Sequence, residues 1–89
     1  MAKNSKQLER YFKGAANHWR IEILFLLTKF DGLSLDAVAR KLNCNFKTIS
    51  EHTKKLVNAG LLNKKYQGRI VLHSLSPYGR RFVKFIKTF

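Results

Sequence analysis

The sequence predicts a mainly α-helical domain with one small β-hairpin, in the element order α-α-α-α-β-β-α. Apolar residues recur at helical spacing along most of the 89 residues, and 45% of the residues are hydrophobic, which is enough for one core. Two short β-prone stretches flank a Gly-containing turn at residues 67–69. A helix stop signal at Ala59-Gly60 and a start signal at Ser76-Pro77 enclose that hairpin. We therefore expect a single domain spanning residues 1–89.

The first two helices are predicted by the spacing of their apolar residues. Residues 1–5 look like a loose start, and residues 6–16 form the first helix. One face of that helix carries Leu8, Tyr11, Phe12 and Ala15. Asn17 is placed to cap a second helix that continues to about Lys29. Apolar side chains cover most of the circumference of this second helix, so we expect it at the centre of the domain.

The third and fourth helices follow a break at residues 30–32. Ser34 is an N-cap candidate for a third helix that ends at about Leu42. A short polar turn, Asn43-Cys44-Asn45, separates it from a fourth helix at about 46–58. The residues expected to face inward from the fourth helix are Ile49, Thr53, Leu56 and Val57. Gly60 is placed to end that helix as a C-cap.

The hairpin and the last helix complete the chain. Residues 61–66 and 70–75 are predicted as two strands, and Pro77 lies in the first turn of the final helix. The apolar stripe of the final helix is Phe82, Phe85, Ile86 and Phe89. A helix, a tight turn, a basic helix and then a hairpin are the layout of a winged helix-turn-helix, which places one helix in a DNA groove.

The charge of the chain points in the same direction. It has 18 Lys and Arg against 5 Asp and Glu, a net charge of +13. Residues 43–89 hold ten basic side chains and one acidic side chain, Glu51, a net of +9. A half-domain with a single carboxylate attracts polyanions at long range. The alternative is a basic surface that serves solubility alone.

Several classes of protein find no support in the sequence. Cys44 is the only cysteine, so an intramolecular disulfide is impossible. No apolar run approaches the length needed to span a bilayer, and residues 1–6 lack the apolar core of a signal peptide. We therefore expect an intracellular, cytoplasmic protein without a membrane partner.

The fourth helix is the best candidate for reading DNA. Short polar side chains near a helix N-terminus can approach base edges, and lysines further along can reach phosphates. The candidates for bases are Asn45, Lys47, Thr48, Ser50 and Glu51, those for phosphates are Lys54 and Lys55, and His52 lies on the DNA side or the flank. A solvated face would be the better interpretation of an isolated helix. The turn before this helix and the hairpin after it favour DNA.

The hairpin supplies a second candidate surface. Lys64, Lys65 and Arg69 are predicted to crowd a narrow tip around Gly68. Such a tip can follow the DNA backbone or reach a minor groove, where arginine is favoured. Lysines also protect an edge strand from aggregation, and both interpretations can hold at once.

Metal and catalytic chemistry find little support. Cys44, His18, His52 and His73 form no close pair of the C-x-x-C or H-x-x-x-H kind. Cys44 fits a small, partly buried apolar side chain, and the histidines fit structural roles better than metal ligation. The five carboxylates lie in different segments, and the sequence has no Gly-rich phosphate loop and no nucleophile elbow. We predict no catalytic residue, no metal site and no cofactor.

Eight short segments between residues 8 and 79 carry a family resemblance. They are FKGAAN (12–17), RIEIL (20–24), LSL (33–35), VA (38–39) with Leu42, TISEH (48–52), LVNAGLL (56–62), GR (68–69) and LSPYG (75–79). Their order and spacing, rather than any single segment, make the resemblance specific. Together they resemble the ArsR-type winged helix-turn-helix regulators, and the MarR family shares parts of the pattern.

The resemblance implies a transcriptional regulator, in our expectation a repressor, that binds duplex DNA as a homodimer. It implies a recognition helix at 46–58, a wing at 61–75 and a dimer interface formed by the first and last helices. The interface residues would be Leu8, Tyr11, Phe12, Phe82, Phe85, Ile86 and Phe89. An exposed aromatic stripe of this size usually marks an interface. The alternative is that the stripe covers the first helix within one chain.

The chain also departs from the family pattern. Many metal sensors of the family carry a cysteine pair in the third helix, and others carry Asp, Glu and His ligands in the last helix. Residues 34–42 contain no cysteine, and residues 77–89 contain none of those ligands. Thr53 and His18 replace an aliphatic residue and a proline that are usual in the family. We therefore expect a regulator without the usual metal site.

Two other functions are compatible with the sequence. Winged helices also serve in RNA- or ribosome-associated basic domains, which would prefer RNA to DNA. Others bind proteins, in which case the apolar last helix would meet a partner and the charge would be incidental. Loss of binding on mutating Lys54 and Lys55 would favour DNA over a protein partner.

Overall fold

A computed structural model of the chain describes residues 2–89 and confirms the predicted order of elements. The elements are α1 (Ser5–Ala15), α2 (His18–Lys29), α3 (Leu35–Lys41), α4 (Phe46–Asn58), β1 (Leu62–Gln67), β2 (Ile70–Leu75) and α5 (Pro77–Ile86). Within residues 2–89, no helix combines the length and the apolar character that crossing a bilayer requires.

The start of the chain is more ordered than predicted. Asn4 caps α1 and Ser5 is its first residue, so a loose start is wrong for these two positions, and Met1 lies outside the described residues. The side-chain oxygen of Asn4 accepts a hydrogen bond from the Gln7 backbone N–H, and the Gln7 side chain accepts one from the Asn4 N–H, both at 2.9 Å. This reciprocal pair is a capping box, and Asn-x-x-Gln was its sequence signal.

The core is centred on α2, as its apolar circumference predicted. Ile23, Leu24 and Leu27 are buried, and the Asn17 side chain caps the helix by accepting from the backbone N–H groups of Trp19 and Arg20. The other elements enclose α2 with the buried side chains Val38, Ala39, Ile49, Leu56, Leu61, Leu62, Leu75 and Val83.

The α3–turn–α4 unit is held by caps at its two helix starts. Ser34 Oγ accepts from the Ala37 N–H at the start of α3, and Asn45 Oδ1 accepts from the N–H groups of Lys47 and Thr48 at the start of α4. Asn43 turns the chain with φ of 51°, a left-handed conformation that asparagine tolerates. Ile49, Thr53 and Leu56 fix the rotation of α4, because they are the side chains that it buries.

One junction joins α4, the hairpin and α5. Gly60 has φ of 84°, and the N–H groups of Gly60 and Leu61 bond back to the carbonyls of Val57 and Leu56. This is the Schellman ending that favours glycine, as predicted. Ser76 Oγ donates to the Gly60 carbonyl at 2.6 Å and accepts from the Gly79 N–H, so it caps α5 and fixes the end of α4 together.

The hairpin begins one residue later than predicted, because Leu61 is a buried connector. Its strands pair antiparallel from Leu62↔Leu75 to Gln67↔Ile70. The sequence analysis did not predict a backbone bridge between Leu33 and His73, in which each N–H donates to the other residue's carbonyl, at 3.0 and 2.7 Å. The bridge attaches the loop after α2 to the free side of β2.

The last helix differs in part from its prediction. It ends at Ile86, so Phe89 lies beyond the helix, and Gly79 and Val83 are the residues that α5 buries. Phe82 and Ile86 are partly buried and Phe85 is exposed. The predicted aromatic stripe therefore lies beside the core-facing side of α5 and is partly exposed to solvent.

Candidate nucleic-acid interface

The outward face of α4 carries the candidate DNA contacts, because Ile49, Thr53 and Leu56 hold the opposite face in the core. Four of the predicted residues are exposed on α4, namely Lys47, Glu51, Lys54 and Lys55, and three are partly buried, namely Thr48, Ser50 and His52. A basic helix with a fixed rotation therefore faces solvent along its length.

Asn45 lies in the turn before α4, as predicted, and has a capping role that the sequence analysis did not assign to it. Its side-chain oxygen is occupied by the N–H groups of Lys47 and Thr48 at 2.8 and 3.2 Å. Only the amide nitrogen of this side chain is left for another ligand. Asn45 is thus first a cap of α4.

His52 faces the α1–α2 side of α4, where it meets a residue that the sequence analysis did not single out. Arg20 Nε donates to His52 Nδ1 at 3.1 Å across 32 residues of sequence. Burial lowers the pKa of His52, and the charges of Arg20 and Lys55 lower it further, while Glu51 opposes them. A neutral ring that accepts at Nδ1 carries its proton on Nε2, so His52 presents one N–H donor away from Arg20.

Arg20 also holds the end of α1. Its Nη1 donates to the carbonyls of Lys13 and Gly14 at 3.2 and 3.0 Å. These carbonyls lie in the last turn of α1, where helices leave backbone acceptors short of partners, and the Lys13 carbonyl also accepts from the Ala16 N–H at 3.3 Å. One guanidinium therefore links α1, α2 and α4. No local sequence signal could have found it, because the partners are distant in the chain.

The hairpin presents its cations in a different arrangement from the one predicted. Lys64 pairs with His73 and Lys65 with Leu72, so both lysines lie in the middle of β1. Successive residues of a strand point to opposite faces, so these two lysines face opposite sides of the hairpin. Of the three predicted cations only Arg69 lies at the tip, beside Gly68 with φ of 61°.

Large apolar side chains are exposed on the same elements, and sequence reasoning missed them as surface residues. Phe46 is exposed at the first position of α4, and Tyr66 and Ile70 are exposed near the hairpin tip. Apolar groups at such positions can contact the methyl group of thymine or the face of a base.

Acidic groups are sparse around these elements. The two ion pairs of the described residues join Lys13 to Glu9 at 3.4 Å and Arg40 to Asp36 at 3.2 Å. Both pairs lie outside α4 and the hairpin. The cations of α4 and the hairpin are therefore available to an external anion, with Glu51 as the only carboxylate in those elements.

The remaining candidate ligand residues are scattered. Cys44 is partly buried in the turn before α4. His73 is buried in β2, where burial lowers its pKa and its Nδ1 lies 3.4 Å from the Leu33 carbonyl oxygen. His18 is exposed, with its ring 5.0 Å from that of Trp19. No group of three or more His, Cys, Asp or Glu side chains in the described part of the chain could hold a metal ion.

The helices predicted to form a dimer interface meet through aromatic rings. Phe12 of α1 lies 5.5 Å from Phe82 and 6.1 Å from Phe85 of α5, between ring centroids. This contact covers α1 only in part, because Phe12 is 49% exposed, Phe85 46% and Phe89 93%. With the exposed Leu8, these residues form a surface that we call the aromatic patch (Leu8, Phe12, Phe85 and Phe89).

Tyr11 does not belong to that patch. It is 8% exposed and its ring lies 5.2 Å from the ring of Tyr78 in α5. The sequence analysis placed Tyr11 at the interface because it shares the apolar spacing of Leu8 and Phe12. In the structure Tyr11 is mostly buried within its own chain and lines the same groove as Leu8 and Phe12, so it adds little exposed area to the patch.

The sequence of this chain matches a family model, and its fold matches those of known proteins. The model of the HVO_A0114 family matches residues 17–78. No curated protein matches the sequence. Among solved structures, HlyU from Vibrio cholerae N16961 is 26% identical, covers 97% of this chain and 94% of its own, and superposes with a TM-score of 0.83. The transcriptional regulator HlyU from Vibrio vulnificus CMCP6 is also 26% identical, covers 96% and 88%, and has a TM-score of 0.79.

A third solved structure shares the fold at lower identity. Mb0332 from Mycobacterium bovis is 24% identical, covers 99% of this chain and 88% of its own, and has a TM-score of 0.84. It is described as a homodimeric winged helix-turn-helix DNA-binding domain of a possible ArsR-family transcriptional regulator. Together these comparisons confirm the predicted winged helix-turn-helix fold and the resemblance to ArsR-type regulators.

Proposed function

The chain belongs to the HVO_A0114 family, and from this membership and its fold we propose that it regulates transcription by binding duplex DNA sequence-specifically. It acts as a homodimeric repressor in the cytoplasm, without a catalytic step, a cofactor or the metal site usual among ArsR-type regulators. The observation that carries the proposal is the outward face of α4. This face is basic, fixed in rotation by three buried side chains and free of ion pairs among the described residues.

The recognition helix divides into two functional parts. Lys47, Thr48, Ser50 and Glu51 lie in its N-terminal half, from which short side chains reach base edges in the major groove. Lys54 and Lys55 are exposed one to two turns later and contact phosphates. His52 contributes its Nε2–H at the flank. The amide nitrogen of Asn45 is the only part of that side chain left for a base or phosphate.

The hairpin acts as the wing. Arg69 at its tip enters or borders a minor groove, where arginine is favoured. Lys64 and Lys65 face opposite sides of β1, so each contacts a different backbone strand when the hairpin lies in a groove.

The aromatic patch supplies the dimer contact. Mb0332, which shares the fold, is homodimeric. A two-fold dimer places two recognition helices about 34 Å apart and therefore reads half-sites about 10 bp apart or a multiple of that spacing. Phe82 and Ile86, partly buried beside the patch, form its inner border.

Two single substitutions on α4 test this division of roles. We expect Lys54→Ala to weaken binding to every duplex by a similar factor, and to reduce the salt slope by about one unit per lost phosphate contact. Ser50→Ala removes a hydroxyl without removing charge, so it alters preference among duplexes and keeps the salt slope. The readout is fluorescence anisotropy with a panel of duplexes at several salt concentrations.

Three results would contradict the proposal. If both variants weakened binding to every duplex by the same factor, α4 would not be the element that recognises the DNA sequence. Tighter binding to RNA than to duplex DNA would point to an RNA- or ribosome-associated domain. Retention of a protein partner by a variant that lacks Lys54 and Lys55, with no duplex binding by the wild type, would point to a protein-interaction module.

A further inference from the structure

A second cluster of cations lies beside the recognition helix, where α1, α2 and α4 meet. Arg10 and Lys13 of α1, Arg20 of α2 and Lys55 of α4 line one shallow concavity of about 290 Å³. We call it the basic junction (Arg10, Lys13, Arg20 and Lys55). Its remaining lining is small or neutral, namely Gly14, Asn58 and Ala59.

Arg20 gives the basic junction a fixed donor. Its Nε and Nη1 groups are held by His52 and by the carbonyls of Lys13 and Gly14, and the residue is partly buried. Among the hydrogen bonds of residues 2–89, none uses Nη2, which keeps two N–H donors for a ligand. A guanidinium that is already ordered loses little conformational entropy when it binds an anion.

The charged side chains that line the basic junction are all cationic. Of its four cations only Lys13 has an ion-pair partner in the described structure, Glu9, and that pair is exposed and weak. The first turn of α2 carries no acidic residue, and its partial positive charge offsets part of the partial negative charge at the ends of α1 and α4, which also line the concavity. The lowered pKa of His52, to which Arg20 and Lys55 contribute, is consistent with a positive local potential.

Lys55 connects the basic junction to the recognition helix. It is exposed on α4 one position after Lys54, and a step of one residue rotates it by about 100° around the helix. Lys55 therefore lies at the edge of the DNA-facing surface and also in the lining of the basic junction. A DNA strand that contacts Lys55 has its neighbouring phosphates next to α1.

We propose that the basic junction is a second phosphate-binding site, which holds the DNA backbone on the α1 flank of the recognition helix. This inference rests on the proposed function and extends it. It adds Arg10, Lys13 and Arg20 to the contacts of α4 and the wing. It also makes α1 a DNA-contacting helix in addition to a dimer helix. Phosphate contacts of this kind position a protein on the duplex and carry no sequence information.

The test compares two double variants that each remove two positive charges. Arg10→Gln with Lys13→Gln removes both positive charges that α1 contributes to the basic junction. It leaves the hydrogen bonds of Arg20 in place, because those on α1 are to backbone carbonyls. Lys84→Gln with Lys87→Gln, on α5, is the matched control, because these lysines line a different concavity with Asp31. Binding to an operator duplex and to a scrambled duplex is measured by fluorescence anisotropy at several salt concentrations, and urea unfolding checks that both variants fold.

We expect the Arg10 and Lys13 variant to weaken binding to both duplexes by the same factor. Its salt slope should fall by about one unit per lost contact, up to about four for a dimer with two lost contacts in each protomer. The control should keep the wild-type slope. An unchanged salt slope in the Arg10 and Lys13 variant, or equal reductions of the slope in both double variants, would overturn the phosphate-binding site at the basic junction. Neither result would overturn the proposed function. Failure of the wild type to bind any duplex would overturn the proposed function as well.

Discussion

Thr53 shows how a single side chain connects the core to the recognition helix. It is 1% exposed on the inner side of α4, and its Oγ1 has no hydrogen-bond partner among the described residues. A buried hydroxyl without a partner costs about 1–3 kcal/mol. The ArsR-type pattern that the chain resembles has a larger aliphatic residue at this position. Compared with such a residue, Thr53 lowers the stability of the fold, at a position that faces the core.

We expect Thr53→Val to stabilise the protein by about 1 kcal/mol, because valine has nearly the same shape and no hydroxyl to desolvate. Urea unfolding measures this as a higher midpoint with an unchanged m-value. Thr28→Val is the control. Thr28 is exposed and its Oγ1 donates to the Phe25 carbonyl at 2.6 Å, so its replacement should change stability by less than about 0.5 kcal/mol. Destabilisation by Thr53→Val would mean that its hydroxyl does have a partner.

His73 makes the stability of the fold depend on pH. Burial lowers its pKa below the usual 6.5, with Lys64 acting in the same direction and the Leu33 carbonyl opposing. The unfolded chain therefore binds more protons than the folded chain at pH values between the lowered pKa and about 6.5. The free energy of unfolding should be nearly constant above about pH 7 and should fall as the pH drops below 6.5.

His73→Leu should flatten this dependence, since leucine does not titrate. The measurement is urea unfolding at pH 7.5 and pH 5.5 for both proteins. His52, whose pKa is also lowered, contributes in the same direction and leaves part of the slope in the variant. An identical pH dependence in wild type and variant would exclude His73 as a source.

Sequence reasoning succeeded with residues whose partners are close along the chain. Asn17, Ser34 and Gly60 were predicted from the helices that they start or end, and the structure confirms each. The Arg20–His52 hydrogen bond could not be predicted, because it joins residues 32 positions apart and depends on the packing of two helices.

At the scale of elements, α1 reaches α4 through a pair of small residues. A Cβ on Gly14 would overlap the Cβ of Ala59, so the close approach of the two helices requires glycine at this position of α1. The last turn of α1, which also receives the hydrogen bonds of Arg20, is fixed against the end of the recognition helix.

Gly14→Ala should destabilise the protein by about 1–2 kcal/mol. Overpacking costs about 1–3 kcal/mol, and up to about 1 kcal/mol is returned by the better helix propensity of alanine. Adding Ala59→Gly restores the room, so the double variant should be more stable than the sum of the single effects predicts. Additive effects in this double-mutant cycle, measured by urea unfolding, would show that the two residues do not touch.

The elements were predictable from hydrophobic periodicity because each helix buries one face, and the hairpin because its turn contains glycine. The way the elements are oriented against one another was harder to predict from the sequence. The Leu33–His73 bridge attaches a loop to β2 through backbone groups, which leave no side-chain pattern. The rotation of α5 depends on Val83 and Gly79 fitting against the core, and the spacing of the aromatic stripe did not identify those two residues.

At the scale of the whole molecule, the aromatic patch lies apart from the cationic face of α4 and the hairpin, and α1 carries residues of both the patch and the basic junction. The aromatic patch belongs to α1 and the C-terminal region, and the candidate DNA surface belongs to α4 and the hairpin. The proposed binding of a second copy and of DNA therefore uses different side chains. Arg20 provides a physical connection between the two surfaces, since it bonds to both α1 and α4.

We expect Phe85→Glu to convert a dimer into a monomer, because it places a charge in the centre of the aromatic patch. Sedimentation velocity measures the change, and operator affinity should fall because each monomer reads one half-site. Ile70→Glu makes the same change at an exposed apolar residue of the hairpin and should leave the dimer intact. A Phe85→Glu protein that remains dimeric would exclude the aromatic patch as the interface.

The proposed function depends above all on recognition of a particular DNA duplex by this chain. The most direct measurement is a titration of the wild-type protein against the DNA upstream of its own gene and against a scrambled duplex of equal length, at several salt concentrations. We expect the upstream duplex to be preferred, and the preference to persist at roughly physiological salt, because base contacts survive when phosphate contacts are screened. No binding to either duplex at low salt would contradict the claim.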